Sequence, residues 1–270
     1  MSRLGVMLGG PGVSRVARAA ADWVDLEGSS LVQALARVAP RAHGRLLDVG
    51  CGAKPYEAIF LPFVDSYVGI EHEGTFAATN AGAQSRADVL YDGKRLPFES
   101  GSFDTVLSLQ VLEHTPRPAE LLAEMARVLR EDGLLIATVP FSFRLHEEPH
   151  DYFRFTTHGM RDLCESAGMA IEEIASRGSL WSVLGHKLNS YLGLRVARLG
   201  GVAQMMGKLP HERTATAGGR LWTLPAVAPA MMGVAFWARV LDRVLPDPSE
   251  MLGYTVLARR KAGGSPPKTA

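Results

Sequence analysis

The chain has 270 residues, a formal net charge of +1 and 47% hydrophobic residues. This size and apolar content suit one α/β domain with an added helical part, and the balanced charge predicts no overall attraction to nucleic acid. Two cysteines, Cys51 and Cys164, are too few for a disulfide framework or a cysteine-based zinc site. They suit a reducing compartment, and because residues 1–12 lack the apolar core of a signal peptide, we expect a cytoplasmic protein.

The first 40 residues are predicted to form a helical leader. One helix is expected over residues 13–24. A second is expected to begin at Ser29 and Ser30, whose hydroxyls make good N-caps, and to end before Pro40.

From residue 41 onward, short apolar runs alternate with helical patterns. The runs are apolar throughout, which is typical of parallel strands covered by helices on both faces and predicts a doubly wound α/β sheet. The predicted strands are Arg45–Val49, Ser66–Glu71, Ala87–Tyr91, Phe103–Leu109, Leu134–Val139 and Ile171–Ala175. The predicted helices between and after them begin near Pro55 and cover residues 118–129 and 160–167.

Four groups of residues lie at the ends of these predicted strands, where open α/β sheets bind their ligands. Glycines allow close backbone approach to a ligand, and an acidic side chain after the second strand can accept the hydroxyls of a ribose. Taken alone, Glu71 is more often a solvated carboxylate at a strand end, and Asp92 beside Gly93 is by default a turn residue. The groups are Asp48, Gly50, Cys51 and Gly52; Glu71 and His72; Asp92 and Gly93; and Gln110.

Taken together, these groups resemble the class I S-adenosylmethionine-dependent methyltransferases, in the type 11-like subgroup whose third strand leads into an LPF segment. The resemblance covers residues 45–140. It rests on four stretches: LLDVGCGAKPY, VGIE, YDGKRLPFESGSFDTVLSLQVLEH and EMARVLREDGLLIATVP.

The resemblance implies a Rossmann-like sheet of seven strands, the last antiparallel, and S-adenosyl-L-methionine as cofactor. It implies that Asp48, Gly50 and Gly52 surround the amino acid and ribose end of the cofactor, and that Glu71 binds the ribose hydroxyls. It places Asp92 at the adenine amino group and Gln110 near the centre. Cys51, His72 and Gly93 flank these positions and complete the expected cofactor set. Many relatives have a third glycine where this chain has Lys54-Pro55.

A dinucleotide-binding dehydrogenase would also need an acidic residue after the second strand. Its G-x-G-x-x-G pattern, counted from Gly50, puts the third glycine at Pro55, so the pattern fails.

Catalytic candidates follow the fourth and fifth predicted strands. If the methyl acceptor is a hydroxyl, a base must take its proton, and His150, Asp151, Tyr152 and His114 are the candidates. The alternatives are a structural role for His114 and core packing for the aromatic residues, with Thr156 or Thr157 capping the next helix. The segment also resembles PHDYxRFT stretches of bacterial methyltransferases linked to saccharide or secondary-metabolite pathways.

His146 to His150 also reads as H-E-x-x-H, a zinc-protease pattern that requires a helix. Pro149 argues against that helix, so we predict no such metal site. A different metal site that uses His146, His150 and Asp151 remains the alternative.

Residues 41–178 are predicted to form the cofactor-binding domain. Residues 179–249 are predicted to form a helical insertion between that domain and the last strand of its sheet. A final strand lies in 250–261, and 262–270 are predicted to be a disordered tail. The insertion carries eight basic and three acidic residues and includes the uncharged stretch 221–238. Pro225, Pro229 and Gly233 are expected to break that stretch. We expect a lid or a homodimer contact, with docking onto a membrane surface as the alternative.

The sequence therefore predicts methyl transfer from S-adenosylmethionine to a small-molecule, saccharide or lipid-linked acceptor, at oxygen. A cofactor-binding protein without turnover is the alternative.

Overall fold

The computed structural model describes residues 15–74, 85–193 and 224–261, so the predicted tail and much of the predicted insertion lie outside the described residues. The helices are α1 (Arg15–Val24), α2 (Leu26–Val38), α3 (Glu57–Phe60), α4 (Pro118–Val128), α5 (Thr157–Ser166), α6 (Leu180–Tyr191) and α7 (Leu224–Val244). The strands are β1 (Arg45–Val49), β2 (Ser66–His72), β3 (Val89–Tyr91), β4 (Phe103–Leu109), β5 (Leu129–Pro140), β6 (Met169–Arg177) and β7 (Gly253–Arg260). Short 3-10 turns cover Ala39–Arg41, Leu61–Phe63 and Leu112–His114.

The seven strands form one sheet in the order β3-β2-β1-β4-β5-β7-β6. β1 pairs in parallel with β2 and β4, and β4 pairs in parallel with β5. β7 runs against β6, because Leu252 N–H donates to the Arg177 carbonyl near the end of β6 and Lys261 N–H donates to the Gly168 carbonyl near its start. The predicted Rossmann-like sheet with an antiparallel last strand is confirmed.

The central strands are buried along almost their whole length. Both β1 and β4 bury apolar residues at consecutive positions, including Leu46, Leu47, Val106 and Leu107, none of which is exposed. Consecutive rather than alternating burial means that both faces of the sheet are covered. The interpretation of the apolar runs as parallel core strands is therefore confirmed.

Four strands differ in their bounds from the predicted ones. β2 ends one residue later, at His72, and β6 is longer and covers Met169–Arg177. β3 is shorter than predicted and begins at Val89, after Asp88, which bonds to Gly69 of β2 through both its N–H and its side chain. β5 begins earlier, at Leu129, and its pairing with β4 shifts register before Leu134, around Asp132 at φ +59°.

The predicted N-cap of the second helix is wrong. The Oδ1 of Asp25 accepts a hydrogen bond from Gly28 N–H at 2.8 Å, so the helix begins one residue after Asp25. Ser29 and Ser30 lie inside the helix, and their hydroxyls donate to carbonyls of the preceding turn. Aspartate caps as well as serine does, and here it comes first in the chain.

The predicted breaks in the apolar stretch are also wrong, because α7 is one helix of 21 residues with Pro229 inside it. Pro225 lies in the first turn of α7, where an N–H has no intrahelical acceptor, so it costs no hydrogen bond. Of the two prolines, only Pro229 removes an intrahelical hydrogen bond. None of the helices in the described ranges combines the length and the apolar content that a bilayer crossing requires.

The chain divides into two compact units. A helical unit comprises Met1–Ala34, Ser142–Asp151 and Ser176–Gly253. A sheet unit comprises Leu35–Phe141, Tyr152–Ala175 and Tyr254–Ala270. The described parts of the predicted insertion, residues 179–193 and 224–249, fall inside the helical unit.

Close helix packing holds the helical unit together. The amide of Asn189 in α6 donates to the carbonyls of Val24 and Met231, which joins α6 to α1 and α7. A Cβ on Gly185 would lie 2.7 Å from Leu26 and 2.8 Å from Ala238, so only glycine permits this approach of the helices.

Candidate cofactor site

The candidate site lies in the sheet unit, at the carboxyl ends of β1 and its two neighbours. The chain connects β1 to β2 on one side, whereas β4 pairs on the other, so β1 stands at the topological switch point. The N–H groups of Gly50 and Cys51 both donate to the Ile70 carbonyl of β2. The loop after β1 is therefore held against β2 at the position where such sheets bind nucleotides.

Two glycines give this loop its shape. Gly50 has φ +72°, and a Cβ there would lie 2.6 Å from the Val111 side chain. Gly52 has φ +49°, and a Cβ there would meet no atom of the described residues within 4 Å. Gly50 is therefore required for packing as well as for backbone conformation, whereas Gly52 borders open space that a ligand can occupy.

Glu71 connects the end of β2 to the glycine loop. It is 8% exposed, and its two carboxylate oxygens accept hydrogen bonds from Gly52 N–H at 3.0 Å and from His72 N–H at 2.9 Å. A carboxylate offers about four acceptor positions, so Glu71 can hold both N–H groups and still accept two hydroxyls. This arrangement fits the ribose of the expected cofactor.

Asp48 in β1 is buried and accepts a hydrogen bond from the Tyr67 hydroxyl at 2.6 Å. Burial raises the pKa of its carboxyl to about 7, and the nearby Glu71 charge adds to the effect, although the Tyr67 hydrogen bond opposes it. The site thus contains a carboxyl group that changes charge near neutral pH.

The turn after β3 contains Asp92 and Gly93. The exposed Asp92 accepts a hydrogen bond from Lys94 N–H at 3.0 Å, and this bond lowers the pKa of its carboxyl. Gly93 has φ +80°, and a Cβ there would lie 2.5 Å from the His72 ring, which also contacts Tyr91 edge-on. The structure therefore brings His72 against this turn. One Asp92 oxygen has a turn role, and the second can accept from another donor.

Gln110 follows β4 with φ +59°, a conformation that residues other than glycine seldom adopt. Its N–H donates to the Thr138 carbonyl, and its side-chain amide lies 3.2 Å from the Thr138 hydroxyl. Such a conformation, held by the neighbouring strand, is frequent at functional sites.

The thiol of Cys51 is buried beside the glycine loop, and burial raises the pKa of the thiol further above neutral pH. The side chain packs against β2, because a Cβ on Gly69 would lie 2.7 Å from its Sγ.

Sequence reasoning missed four residues that shape this site. Each makes its contact with a different segment of the chain, so no local pattern identified it. They are Lys54, Tyr67, Asp88 and Thr138.

Two catalytic candidates lie in the sheet unit. His114 ends the 3-10 turn after β4, and its N–H donates to the Val111 carbonyl at 3.0 Å. The Tyr152 N–H donates to the Glu113 carbonyl at 2.8 Å, and its side chain is 44% exposed. The sheet unit therefore holds the Tyr152 backbone against the turn that carries His114.

The other two candidates lie in the helical unit, in the segment Ser142–Asp151. The buried Asp151 carboxylate accepts hydrogen bonds from the His146 N–H at 2.9 Å and from its ring at 3.0 Å, whereas His150 is exposed. This geometry favours a loop-stabilising role for Asp151 and leaves His150 open to solvent.

The segment Ser142–Asp151 is described throughout and contains no helix, as Pro149 predicts, whereas the absence of a metal site stays a prediction. Within this segment, His146, His150 and Asp151 do not converge as metal ligands. The capping prediction for the following helix is correct, because the Thr156 hydroxyl accepts a hydrogen bond from Gly159 N–H.

Comparison with known proteins agrees with this geometry. Residues 47–137 match the family described as a methyltransferase domain. An uncharacterized methyltransferase of Mycobacterium avium (strain 104) is 41% identical over 103 residues, which cover 35% of this chain and 39% of the relative. One of Mycobacterium leprae (strain TN) is 36% identical over 105 residues, 36% of this chain and 38% of the relative. The chain thus spans about two fifths of the length of these curated relatives.

Solved structures share the fold. The [4+2]-cyclase SpnF is 20% identical with a TM-score of 0.53, over 88% of this chain and 82% of that chain. A chain of the complex that contains the Trm112 methyltransferase activator of Haloferax volcanii is 16% identical with a TM-score of 0.50, over 90% and 96%. At such identities the likeness shows the fold alone. Residues 47–137 are thus similar to the methyltransferase domain family, and the fold is that of these solved structures.

Proposed function

We propose that this protein transfers the methyl group of S-adenosyl-L-methionine to an oxygen atom of a small-molecule, saccharide or lipid-linked acceptor. The observation that carries the cofactor part is Glu71, a buried carboxylate that holds the glycine loop and retains acceptor capacity for two hydroxyls. When bound, the cofactor supplies a methyl group on a positively charged sulfur.

In this proposal, different residues of the sheet unit bind different parts of the cofactor. Glu71 accepts the ribose hydroxyls, and Asp92 accepts from the adenine amino group through its second oxygen. Asp48, Gly50 and Gly52 surround the amino acid and ribose end. Gln110 lies near the cofactor's centre, and Cys51, His72 and Gly93 support the two loops.

The transfer itself needs an aligned acceptor and a place for its proton. A bond forms between the acceptor oxygen and the methyl carbon as the carbon–sulfur bond breaks, and the acceptor proton passes to a base. Among the four candidates, His150 and His114 have ring nitrogens suited to this role. Tyr152 is suited to acceptor contact through its exposed ring, and Asp151 to holding the loop through His146.

Calorimetry on the wild type and on a Glu71→Ala, Asp92→Ala double variant tests the cofactor assignment. We expect S-adenosylmethionine and S-adenosylhomocysteine to bind to the wild type with micromolar affinity. We expect at least a hundredfold weaker binding to the variant, because hydrogen bonds to charged groups contribute about 1.5–3 kcal/mol each. Glu131→Ala, an exposed carboxylate in the register shift of β5, is the control.

Unchanged affinity in the double variant, or no binding by a folded wild type, would contradict the proposal. Acceptor-dependent release of S-adenosylhomocysteine separates an enzyme from the alternative, a cofactor-binding protein without turnover.

The helical unit suggests where a lipid-linked acceptor would be met. Leu184, Leu188 and Tyr191 form one exposed apolar stripe on α6, at i, i+4 and i+7. α7 exposes Met232, Phe236, Trp237 and Val244.

The exposed charges on these two helices are positive. They are Lys187 on α6 and Arg243 on α7. The acidic residue of α7, Asp242, is turned inward and accepts hydrogen bonds from the Ser182 N–H and from the Ser179 and Ser182 hydroxyls. We infer that these helices dock onto an anionic membrane surface, since exposed apolar and aromatic side chains among basic ones suit that environment. A homodimer contact is the alternative.

A further inference from the structure

Lys54 follows the two glycines of the loop after β1, and it adopts the backbone conformation that glycine would favour, with φ +52°. Its side chain is not turned to solvent, since only 5% of it is exposed. A buried lysine in a left-handed conformation has two unfavourable features at once. Such a residue persists where its surroundings hold it in place.

Asp88 holds Lys54. The Lys54 Nζ lies 2.5 Å from Asp88 Oδ2, and the same oxygen accepts the Gly69 N–H of β2 at 2.7 Å. The Nζ also lies 5.6 Å from the centre of the Tyr67 ring. Although burial opposes it, the hydrogen bonds from Gly69 and Lys54 lower the pKa of the Asp88 carboxyl, so this carboxyl is charged at neutral pH.

The neighbouring strand leaves space for this lysine. A Cβ on Gly69 would lie 2.4 Å from Lys54 Cε and 2.7 Å from Cys51 Sγ. The lysine chain therefore passes over β2 at the one residue without a side chain. Gly69 has an ordinary backbone conformation, so its lack of a side chain, and not its flexibility, is what the structure uses.

The Lys54–Asp88 pair thereby ties the loop after β1 to the segment before β3. The same two segments are joined again at Gly52, whose carbonyl accepts from Arg86 N–H at 2.9 Å and from the Ser85 hydroxyl. The N–H of Gly52 donates to Glu71. Any movement of the loop therefore also moves a donor to the carboxylate assigned to the ribose.

We propose that the Lys54–Asp88 ion pair is a clamp that positions the glycine loop and Glu71 for S-adenosylmethionine. The inference rests on the proposed function. Lys54 is a positioning residue, because it acts through the loop and not through contact with the cofactor. Loss of the clamp should weaken cofactor binding and leave turnover at saturating cofactor unchanged.

Three variants test the clamp against a merely structural role. Lys54→Met keeps the length of the side chain and removes its charge. Asp88→Asn keeps an acceptor for Gly69 and removes the opposite charge. Lys54→Gly relieves the backbone conformation but loses the clamp. We expect the dissociation constant for S-adenosylhomocysteine to rise about tenfold or more in all three, and the Lys54→Met, Asp88→Asn double variant to resemble either single one.

Asp104→Asn is the matched control. Asp104 at the start of β4 also accepts a hydrogen bond from a neighbouring strand, from the Arg45 N–H at 2.8 Å. It forms an ion pair with Arg130 at 2.5 Å. Asp104 lies at the amino ends of β1 and β4, whereas the candidate cofactor site lies at the carboxyl ends of the strands. We expect a comparable loss of stability in urea and unchanged cofactor affinity.

Amide hydrogen exchange of residues 50–54 provides a readout without cofactor, and faster exchange is expected in Lys54→Met but not in Asp104→Asn. Wild-type affinity in Lys54→Gly would overturn the clamp in favour of backbone conformation alone. An equal loss of affinity in Asp104→Asn would reduce the effect to stability. If loop exchange is faster in Lys54→Met but the wild type binds no cofactor, the result overturns the proposed function and, with it, the clamp's role in binding.

Discussion

Asp48 and Glu71 are carboxylates on adjacent strands, yet their surroundings differ. Glu71 accepts two backbone N–H groups at the strand end, whereas Asp48 lies deeper in the sheet and accepts the Tyr67 hydroxyl. Burial consequently raises the pKa of Asp48 to about 7. At the residue scale, the chemistry of this site therefore depends on which donors reach each carboxylate.

Asp48 should make stability depend on pH. Its pKa is about 7 in the folded chain against an ordinary value of 3.8, so between these values the folded chain holds a proton that the unfolded chain has lost. The free energy of unfolding should therefore fall as pH rises through this window, by about 1.4 kcal/mol per pH unit at most. Urea unfolding at several pH values should show a flatter profile for Asp48→Asn.

The control for this prediction is Asp104, whose effect on the pH dependence of stability has the opposite sign. The pKa of Asp104 is lowered by the Arg45 N–H and Arg130, against the effect of burial, so its stabilisation is lost as pH falls toward the acid range. Asp104→Asn should leave the slope above pH 5 as in the wild type. Parallel profiles for wild type and Asp48→Asn would contradict the raised pKa.

At the scale of elements, capping shows how far local patterns reach. Thr156 caps α5 as predicted, because it is the first capping residue before that helical pattern. The cap of α2 was predicted at Ser29 and Ser30, but Asp25 precedes both and forms the bond. The sequence before each of these helices contains suitable N-cap residues. Where the packed helix begins determines which of them forms the cap.

Asp25→Ala should lower the free energy of unfolding by about 1 kcal/mol, because the Gly28 N–H loses its acceptor at the start of α2. Asp25→Asn is the matched control and should retain most of the stability, since asparagine caps equally well. Urea unfolding of the three proteins measures the difference. Equal losses in both variants would show that the charge of Asp25, and not its cap, is what matters.

At the scale of the whole molecule, a net charge of +1 conceals an uneven distribution. The exposed charges of α6 and α7 are positive, and the apolar residues beside them face solvent. Neither the formal charge of the chain nor the lack of a membrane-spanning helix among the described residues predicts how such a surface behaves. Its behaviour depends on which side chains the helix packing leaves exposed.

Co-sedimentation with vesicles tests membrane docking. We expect the wild type to bind phosphatidylglycerol vesicles at low salt, and Lys187→Glu with Arg243→Glu to reduce binding about tenfold or more, because each basic residue near an anionic surface contributes about 1 kcal/mol. Phe236→Ser with Trp237→Ser should also weaken binding.

The matched control is Leu61→Ser with Phe63→Ser, an exposed apolar pair in the sheet unit that should have no effect. Added salt should weaken wild-type binding. No binding at low salt, together with a concentration-dependent dimer, would favour the homodimer alternative.

The sequence by itself determined the sheet and the residues at the ends of its strands, because glycines and carboxylates there follow continuous apolar runs. Residues from Asp48 to Gln110 could be named in this way without any contact being known. Their roles as cofactor contacts stay predictions.

Only the tertiary structure decided what stabilises those positions. Lys54, Asp88 and Tyr67 act through partners on other strands, and Asp25 and Pro229 owe their roles to where packed helices begin and continue. Contacts between distant segments leave no periodic signal in the chain. They arise only when the strands and helices are packed, since hydrogen bonds, ion pairs and burial depend on distance in space and not on separation in sequence.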